Sequence, residues 1–295
     1  MLKIHSKIAI CLIALSMLAS DADAQMFQGK PRFMELFQRQ QPVPVKYEAT
    51  PTLERLIADI NAQSTRIRQL DNRVTIAVPG TPKINGTLQV EFPNRMRLKA
   101  GVMGMSEMGV DAGSNNELFW VWSKVNLPNQ PPAMYFAKHA EFGQSQLRQQ
   151  LPFEPKWLID AFGILTLDPQ GQHFGPYPDN AGRMRLYTSV TNSDGAQAIR
   201  VLLINANSGI VEQIAMYDTQ SNLVAWSNAS NFQYDQENDV SLPRRVALHM
   251  VQANQQTFQI TVDLGGYSIN SLHGDPELMW AYPNPSNVQT IDLGR

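Results

Sequence analysis

The fold of this chain is decided by the stretch RVTIAVPGTPKINGTLQVEF, residues 73–92, in which apolar side chains recur with a period of two. Val74, Ile76 and Val78 alternate with polar residues, as expected for a strand that buries one face. The sequence PGTP at 79–82 is a turn signal, and the alternation resumes from Gly86 to Phe92. We therefore predict an antiparallel hairpin here.

The same kind of pattern continues along most of the chain. Short apolar-alternating segments, each closed by Gly, Asn, Asp or Pro, are predicted as strands at about 96–98, 102–110, 118–122, 183–190, 197–205, 209–217, 222–234, 243–252 and 255–264. Such a succession of short strands and tight turns is typical of an antiparallel meander.

Helical spacing interrupts this pattern in two places. Apolar residues recur at steps of three and four from Leu53 to Leu70, and Thr52 can cap the segment, so we predict one amphipathic helix over 52–70. Two short helices are predicted between 142 and 165, followed by a Gly/Pro-rich turn at 168–182.

The number of strands and the small number of helices together predict the architecture. A sheet of this many strands curls, and three helices can cover one of its faces. We predict a mostly β (α+β) fold, a strongly curved antiparallel sheet or half-barrel with the helices on its concave side. A β-sandwich and a closed barrel are the alternatives.

The N-terminus has the features of a secretory signal peptide. Lys3 and Lys7 precede the apolar run 8–19, and Ala22-Asp23-Ala24 is a small-residue cleavage pattern, so residues 1–24 are predicted to be removed near Ala24–Gln25. A periplasmic location follows, with secretion into the medium as the alternative. Cys11 has Ile10 directly before it, which argues against a lipid anchor.

The remaining chain divides into two parts. Residues 25–51 contain several Gln and Pro residues without a regular period and predict an extended lead-in, whereas 52–295 predict a single domain. No later stretch has the roughly 20 apolar residues that a membrane helix needs.

The composition argues against several classes of function. A formal net charge of -2 gives no electrostatic reason to expect a nucleic-acid partner. The lone cysteine lies in the leader, and His139, His173, His249 and His273 stand singly, so we predict no metal site. No nucleophile elbow or phosphate-binding loop occurs, so we predict no catalytic residues, no cofactor and no enzymatic activity.

The order of these segments resembles a known family. After the opening helix come GTLQVEFPNRMR at 86–97 and NELFWVW at 116–122, with GIVEQI at 209–214 and LPRRV at 242–246 further on. This is similar to the LolA-type lipoprotein carriers of the Gram-negative periplasm, in which a G-x-L-x-V-x-x-P strand pair precedes a D-G-x-x-L-W-x-Y strand. The resemblance covers most of residues 52–264. It implies a half-barrel whose concave face and helices enclose a cavity for acyl chains.

One departure from the family concerns its lid. The resemblance implies an Arg directly before the strand-ending Pro that helps to close the helical lid, whereas this chain has Phe92 before Pro93. Arg95 and Arg97 are close in sequence but out of register.

Three groups of side chains are candidates for lining such a cavity, and each could instead fill an ordinary core. The first is a group of flexible, polarizable methionines, Met103, Met105 and Met108. The second has a shared strand parity that would leave Phe119 and Val121 facing the other way: Leu118, Trp120 and Trp122. The third lies on an apolar short helix that could act as a lid: Trp157, Leu158 and Phe162.

The sequence therefore predicts a non-catalytic periplasmic carrier that holds the acyl chain of a lipid or lipoprotein. The alternative is a structural or sensor module of the cell envelope that uses the same fold to bind another protein. A hydrolase of envelope polymers is a third hypothesis.

Overall fold

The computed structural model describes residues 41–102, 105–123, 133–145, 156–251, 256–284 and 288–294. Within these ranges the four helices are α1 (Leu53–Thr65), α2 (His139–Phe142), α3 (Lys156–Ala161) and α4 (Pro276–Met279). The strands of the first half are β1 (Gln69–Ala77), β2 (Ile84–Glu91), β3 (Arg95–Val102), β4 (Met105–Ser114), β5 (Leu118–Ser123) and β6 (Ala133–Lys138).

The strands of the second half are β7 (His173–Pro178), β8 (Arg183–Thr191), β9 (Gln197–Asn205), β10 (Val211–Tyr217), β11 (Leu223–Ser230), β12 (Gln233–Asp235), β13 (Val240–Leu242), β14 (Arg245–Val251), β15 (Thr257–Ile269) and β16 (Gln289–Asp292).

Fourteen of these strands form one sheet, in the order β16-β6-β5-β4-β3-β2-β1-β15-β14-β11-β10-β9-β8-β7, and β12 and β13 form a separate hairpin. The sheet consists of two meanders, β1–β6 and β7–β15, that are joined where β1 pairs with β15. Only β16, which lies parallel to β6, departs from the antiparallel arrangement among the described strands. The sheet stays open, because β7 and β16 are its two ends.

The sheet is strongly curved around a single large core. Leu88 on β2 and Leu202 on β9 belong to one cluster of buried side chains, although these strands are six places apart in the sheet. In a flat sheet six strand spacings would separate them by about 30 Å. The curved, mostly β architecture predicted from the sequence is therefore confirmed.

Helix α1 packs on the inner, concave face of this sheet. The Thr52 side chain accepts a hydrogen bond from the backbone of Arg55, and Leu56, Ile57 and Ile60 are buried in the core. The Asn61 side chain donates to the Leu167 carbonyl at 2.8 Å and fixes the segment that follows α3.

The predicted helix was too long at its C-terminal end. Helix α1 stops at Thr65, and Leu70 belongs to β1, where it pairs with Ile269. The Asn270 side chain accepts from the backbone N–H groups of Arg68 and Gln69 at 2.7 and 3.2 Å. Pairing with β15, distant in sequence, thus overrides a local spacing that suits a helix.

Other boundaries also differ from the sequence prediction. The predicted strand at 102–110 is the end of β3 and the start of β4, and the predicted turn at 168–182 contains β7. The predicted strand at 222–234 divides into β11 and β12. Strands β6 and β16 were not predicted, because neither has a clear alternation of apolar and polar residues.

The described part of the lead-in is attached to the domain. The backbone N–H groups of Lys46 and Tyr47 donate to the Asn207 carbonyl at 2.8 and 2.9 Å. Tyr47 is buried, and its hydroxyl donates to Asp59 on α1 at 2.7 Å.

The outer, convex face carries the C-terminal segment from α4 onward. The guanidinium of Arg97 forms a bidentate ion pair with Asp111, at 2.9 and 2.8 Å. Its Nη1 also donates to the carbonyls of Met279 and Ala281, at 2.8 and 3.0 Å. This buried arginine therefore anchors the segment that leads to β16.

Candidate ligand cavity

A cavity of about 310 Å³ lies between the concave face of strands β3–β5 and helix α3. Its described lining is mostly apolar and comprises Met96, Ala112, Gly113, Phe119, Trp120, Val121, Leu158 and Ile159. The polar lining residues are Asn94, Ser114, Asn116, His139 and Lys156. The volume is at the lower end of the roughly 300–1,000 Å³ that is usual for small-molecule sites.

The hollow exists because β4 carries small side chains on its concave face. In the strand register Ala112 pairs with Val121, and Ser114 pairs with Phe119. On the other side Ser114 pairs with Met96. Larger side chains on the two neighbouring strands thus form walls around a floor of Ala112 and Ser114.

The parity predicted for β5 was wrong: Phe119 and Val121 face the cavity, whereas the Trp120 side chain lies on the convex face. The Arg97 guanidinium carbon is 5.4 Å from the centre of the Trp120 ring, and Tyr282 packs edge-on at 6.0 Å. Gly113 lets the Trp120 ring cross β4, because a Cβ at that position would collide with the ring. Trp120 therefore lines the cavity only with the part of the residue next to the β5 backbone, because its ring lies on the convex side.

The other two β5 residues predicted to line the cavity also lie on the convex face. Leu118 and Trp122 alternate with Phe119 and Val121 along β5, which places both on the convex side with Trp120. Both are half-buried. None of the three predicted β5 side chains therefore points into the hollow.

Helix α3 covers one side of the cavity and carries two residues of the third predicted group, Trp157 and Leu158, while Phe162 directly follows it. Leu158 is half-buried and lines the cavity together with Ile159. Trp157 and Phe162 are buried in the main core instead. The helix is thus apolar on two sides because it covers a hollow and a packed core at the same time.

A buried ion pair joins α3 to the sheet. Arg200 on β9 donates to Asp160 at 3.0 Å, and both side chains are at most 10% exposed. Burial raises the pKa of Asp160, and the nearby Arg200 opposes this shift. Within the described residues, Oδ1 of Asp160 and Nε of Arg200 have no hydrogen-bond partner. The pair therefore positions α3 with incomplete hydrogen bonding.

Polar groups stand at the edge of the cavity. Lys156, Asn94 and Asn116 are exposed, whereas His139 is half-buried. The Nε2 atom of His139 lies 3.2 Å from the Ser114 hydroxyl and 2.9 Å from the Asn115 carbonyl. Because a carbonyl oxygen can only accept, this nitrogen carries the proton and cannot accept one from Ser114. The two side chains are not arranged as nucleophile and base.

The methionine candidates are only partly described. Met105 and Met108 belong to β4, whereas Met103 lies outside the described residues. The side chains of Met105 and Met108 are likewise outside the described part of the chain, and the methionine of the described lining is Met96 on β3.

Sequence reasoning missed Met96, Ala112, Phe119, Val121 and Ile159. The alternation within β5 gave two possible faces, and the aromatic side chains favoured the wrong one. The charges of Arg97 and Asp111 could have identified the convex parity, but only once the register between β3, β4 and β5 was known.

The described residues also bear on metal binding and on membrane-spanning helices. No three His, Cys, Asp or Glu side chains within the described ranges come together as a metal site would require. None of the helices in this part of the chain has the length and apolarity to cross a bilayer.

The chain matches no protein-family profile and no curated protein sequence. Similar solved structures include an outer-membrane lipoprotein-sorting protein domain from Vibrio parahaemolyticus, with 9% identity, 76% of this chain and 94% of that chain covered, and a TM-score of 0.48. A LolA superfamily protein from Nitrosomonas europaea shows 14% identity, coverage of 77% and 97%, and a TM-score of 0.43.

A DUF1329 family protein from Desulfovibrio piger shows 9% identity, coverage of 76% and 94%, and a TM-score of 0.43. Two of these similar structures bear lipoprotein-sorting or LolA names, as does the family that the sequence resembles. At these identities and TM-scores the likeness does not extend to ligands or partners.

Proposed function

We propose that this protein is a non-catalytic carrier of the periplasm that holds an acyl chain between β3–β5 and α3. The observation that supports this proposal is the apolar hollow of about 310 Å³ over Ala112, closed by Leu158. Cleavage near Ala24–Gln25 and export of the mature chain are part of the same proposal.

The size and lining of the cavity suit an acyl chain energetically. A methylene group takes about the space of a water molecule, roughly 30 Å³, so about ten methylenes fill the hollow. At about 0.8 kcal/mol each, their burial contributes about 8 kcal/mol before the costs of ordering the ligand. A free energy of about -8 kcal/mol corresponds to a micromolar Kd, so micromolar is the tightest affinity that burial of the chain alone gives.

No catalytic group is needed for this role. The Ser114–His139 contact has its proton on the wrong nitrogen for general-base catalysis. Apolar burial alone supplies the binding free energy. We propose that Leu158, with Met96, Phe119 and Val121, contacts the chain, and that Met105 and Met108 contribute from β4.

The test is ligand capture by the purified chain, with one substitution that fills the hollow. We expect native mass spectrometry to show a bound acyl ligand and a fluorescent acyl probe to be displaced by fatty acids of increasing length. Affinity should rise about fourfold per methylene up to about ten methylenes, since each contributes about 0.8 kcal/mol.

Ala112→Phe places a ring in the cavity and should abolish probe binding. The matched control is Ala247→Phe on the convex face of β14, where Ala247 pairs with Asn228 and Thr261. Circular dichroism establishes that both variants fold. Wild-type protein that binds neither the probe nor any fatty acid rules out the carrier.

A second candidate is the envelope interaction module, which a different observation favours. A row of register-matched residues crosses the convex face of the second meander: Phe174, Tyr187, Val201, Ala215, Trp226 and His249. Phe174 is 59% exposed and Ile199, in the adjacent row, is 41% exposed. Exposed apolar side chains in such a row are typical of protein-binding surfaces.

A photo-cross-linking residue at position 174 tests this candidate in intact cells. A single cross-linked envelope protein, absent when the cross-linker replaces exposed Thr87 on β2, would favour the interaction module. Acyl-probe binding unaffected by Phe174→Ser would assign the two faces to separate roles.

A further inference from the structure

We infer that the cavity takes an amphiphile with a single acyl chain and an anionic headgroup, which lies at Lys156. This inference rests on the proposed acyl-chain function and adds the chemistry of the head. It is drawn from three properties of the described residues around the cavity: the charge of its edge, the positions of the nearby carboxylates, and its volume.

The edge of the cavity carries positive charge without a compensating acid. Lys156 is exposed at the first residue of α3, and His139 is half-buried at the first residue of α2. The described lining contains neither Asp nor Glu. An anionic head placed here would meet the positive charge of Lys156 and no carboxylate of the described lining.

Three carboxylates on the described elements around the cavity are paired with other cations. Asp160 lies on α3 and is paired with Arg200 at 3.0 Å, although Lys156 also opposes the rise of its pKa on burial. Asp111 belongs to β4 but points to the convex face, where it is paired with Arg97. Glu141 on α2 lies 3.1 Å from Lys138. None of these three carboxylates forms an ion pair with Lys156.

Neutral hydrogen-bond donors surround the same edge. Asn94 precedes β3 and Asn116 precedes β5, and both carry amide groups that can donate to the oxygen atoms of a carboxylate or phosphate. The apolar floor begins directly beside them, at Met96 and Phe119. A head at Lys156 and a chain over Ala112 are therefore compatible with one extended molecule.

The volume suits a single chain. About 310 Å³ accommodates one medium-length acyl chain of about ten methylene groups. The inferred ligand class is therefore a fatty acid or a single-chain phosphate ester, which share an anionic head and one chain.

Four probes with the same twelve-carbon chain test the inference by competition with a fluorescent acyl probe: dodecanoate, dodecyl phosphate, dodecanol and dodecyltrimethylammonium. We expect the two anions to bind about fivefold more tightly than dodecanol, since an exposed charge pair is worth little more than this. The cation should bind most weakly. Whichever anion binds more tightly identifies the head as carboxylate or phosphate.

Lys156→Gln should lower the affinity of the anions to that of dodecanol and leave dodecanol unchanged. The matched control is Lys83→Gln, an exposed lysine in the turn between β1 and β2 that does not line the cavity. It should leave all four affinities unchanged.

The outcomes separate this inference from the proposed function. Equal binding of dodecanol and the anions to wild-type protein, or an anion preference that survives in Lys156→Gln, overturns the inference and keeps the carrier. Absence of binding by all four probes and by two-chain phospholipids overturns the carrier itself. Tight binding of two-chain phospholipids and not of dodecyl probes overturns the single-chain assignment.

Discussion

Two buried arginine–aspartate pairs among the described residues lie on opposite faces of one sheet, and one of them has more complete hydrogen bonding than the other. On the convex face, Arg97 holds Asp111 through two hydrogen bonds and donates to backbone carbonyls of the C-terminal segment. On the concave face, Arg200 reaches Asp160 through one contact at 3.0 Å. Burial of a charge is tolerated when its hydrogen bonds are complete, so the first pair is an anchor and the second is a weaker attachment.

The pair with the more complete hydrogen bonds lies where the structure has to stay fixed. The convex pair fixes a segment that must stay in place, because β16 at its end extends the edge of β6. The concave pair fixes α3, which covers one side of the cavity. The weaker attachment therefore belongs to the helix over the cavity.

The largest expected effect is that of breaking the convex pair. Arg97→Met leaves Asp111 as a buried, uncompensated charge and removes the donor to Met279 and Ala281. We expect the free energy of unfolding to fall by about 3–5 kcal/mol, measured by urea denaturation. A loss below about 1 kcal/mol would contradict the role of an anchor.

Replacing both members of each pair by apolar residues should sharpen the comparison. Asp160→Leu with Arg200→Met should change the free energy of unfolding by no more than about 1 kcal/mol, since it removes two incompletely bonded charges. Asp111→Leu with Arg97→Met should lose about 2 kcal/mol or more, because the carbonyls of the C-terminal segment lose their donor. Equal losses in the two double variants would show that the pairs are equivalent.

The pH dependence of stability gives a smaller and more specific effect. Because burial raises the pKa of Asp160 in the folded state, that state binds its proton more tightly than the unfolded chain does. The stabilisation is complete below the unfolded pKa and is lost as the pH rises through the folded one. Asp160→Asn, which has no such proton, should lack this component, so its free energy of unfolding in urea should vary less than that of the wild type as the pH rises above the ordinary aspartate pKa value of 3.8.

The wild type and Asp160→Asn are compared at equal ionic strength. A difference in unfolding free energy that stays constant over this pH range would show that the pKa of Asp160 is not raised by folding.

The smallest effect is expected for a short but exposed pair. Arg245 donates to Asp263 at 2.6 Å, yet the Arg245 side chain is 50% exposed. Arg245→Ala should lower the free energy of unfolding by less than about 1 kcal/mol, because water screens the interaction. A loss as large as that of Arg97→Met would mean that distance matters more than burial in this protein.

The sequence predicted what depends on local pattern and missed what depends on pairing between distant segments. Alternation from Val74 to Val78 and the helical spacing from Leu53 to Ile60 both appear in the structure as predicted. Leu70 was assigned to the helix because its spacing fits one, and only the pairing with Ile269 on β15 shows otherwise. Local periodicity does not contain that information.

The sequence did not determine which face of β5 is concave. Leu158 belongs to the described lining of the cavity, whereas Phe119 and Val121 lie on the face that was predicted for Trp120 and Trp122. Binding of a ligand by any of these residues stays a prediction. A strand sequence defines two faces and does not say which is concave. The choice depends on Arg97 and Asp111 and on the Met279 carbonyl, which accepts from Arg97 and lies 182 residues away in sequence.

The pairing of β1 with β15 has a consequence for how the chain acquires its structure. These neighbours are separated by most of the domain, so the contact order of the sheet is high and its closure is slow compared with the local meanders. A chain synthesised from its N-terminus completes β1–β6 while the partner of β1 does not yet exist. The edge of β1 is exposed during this time and can pair with another chain. Aggregation is avoided if a chaperone covers this edge, or if β1–β6 collapse only after β15 has been made.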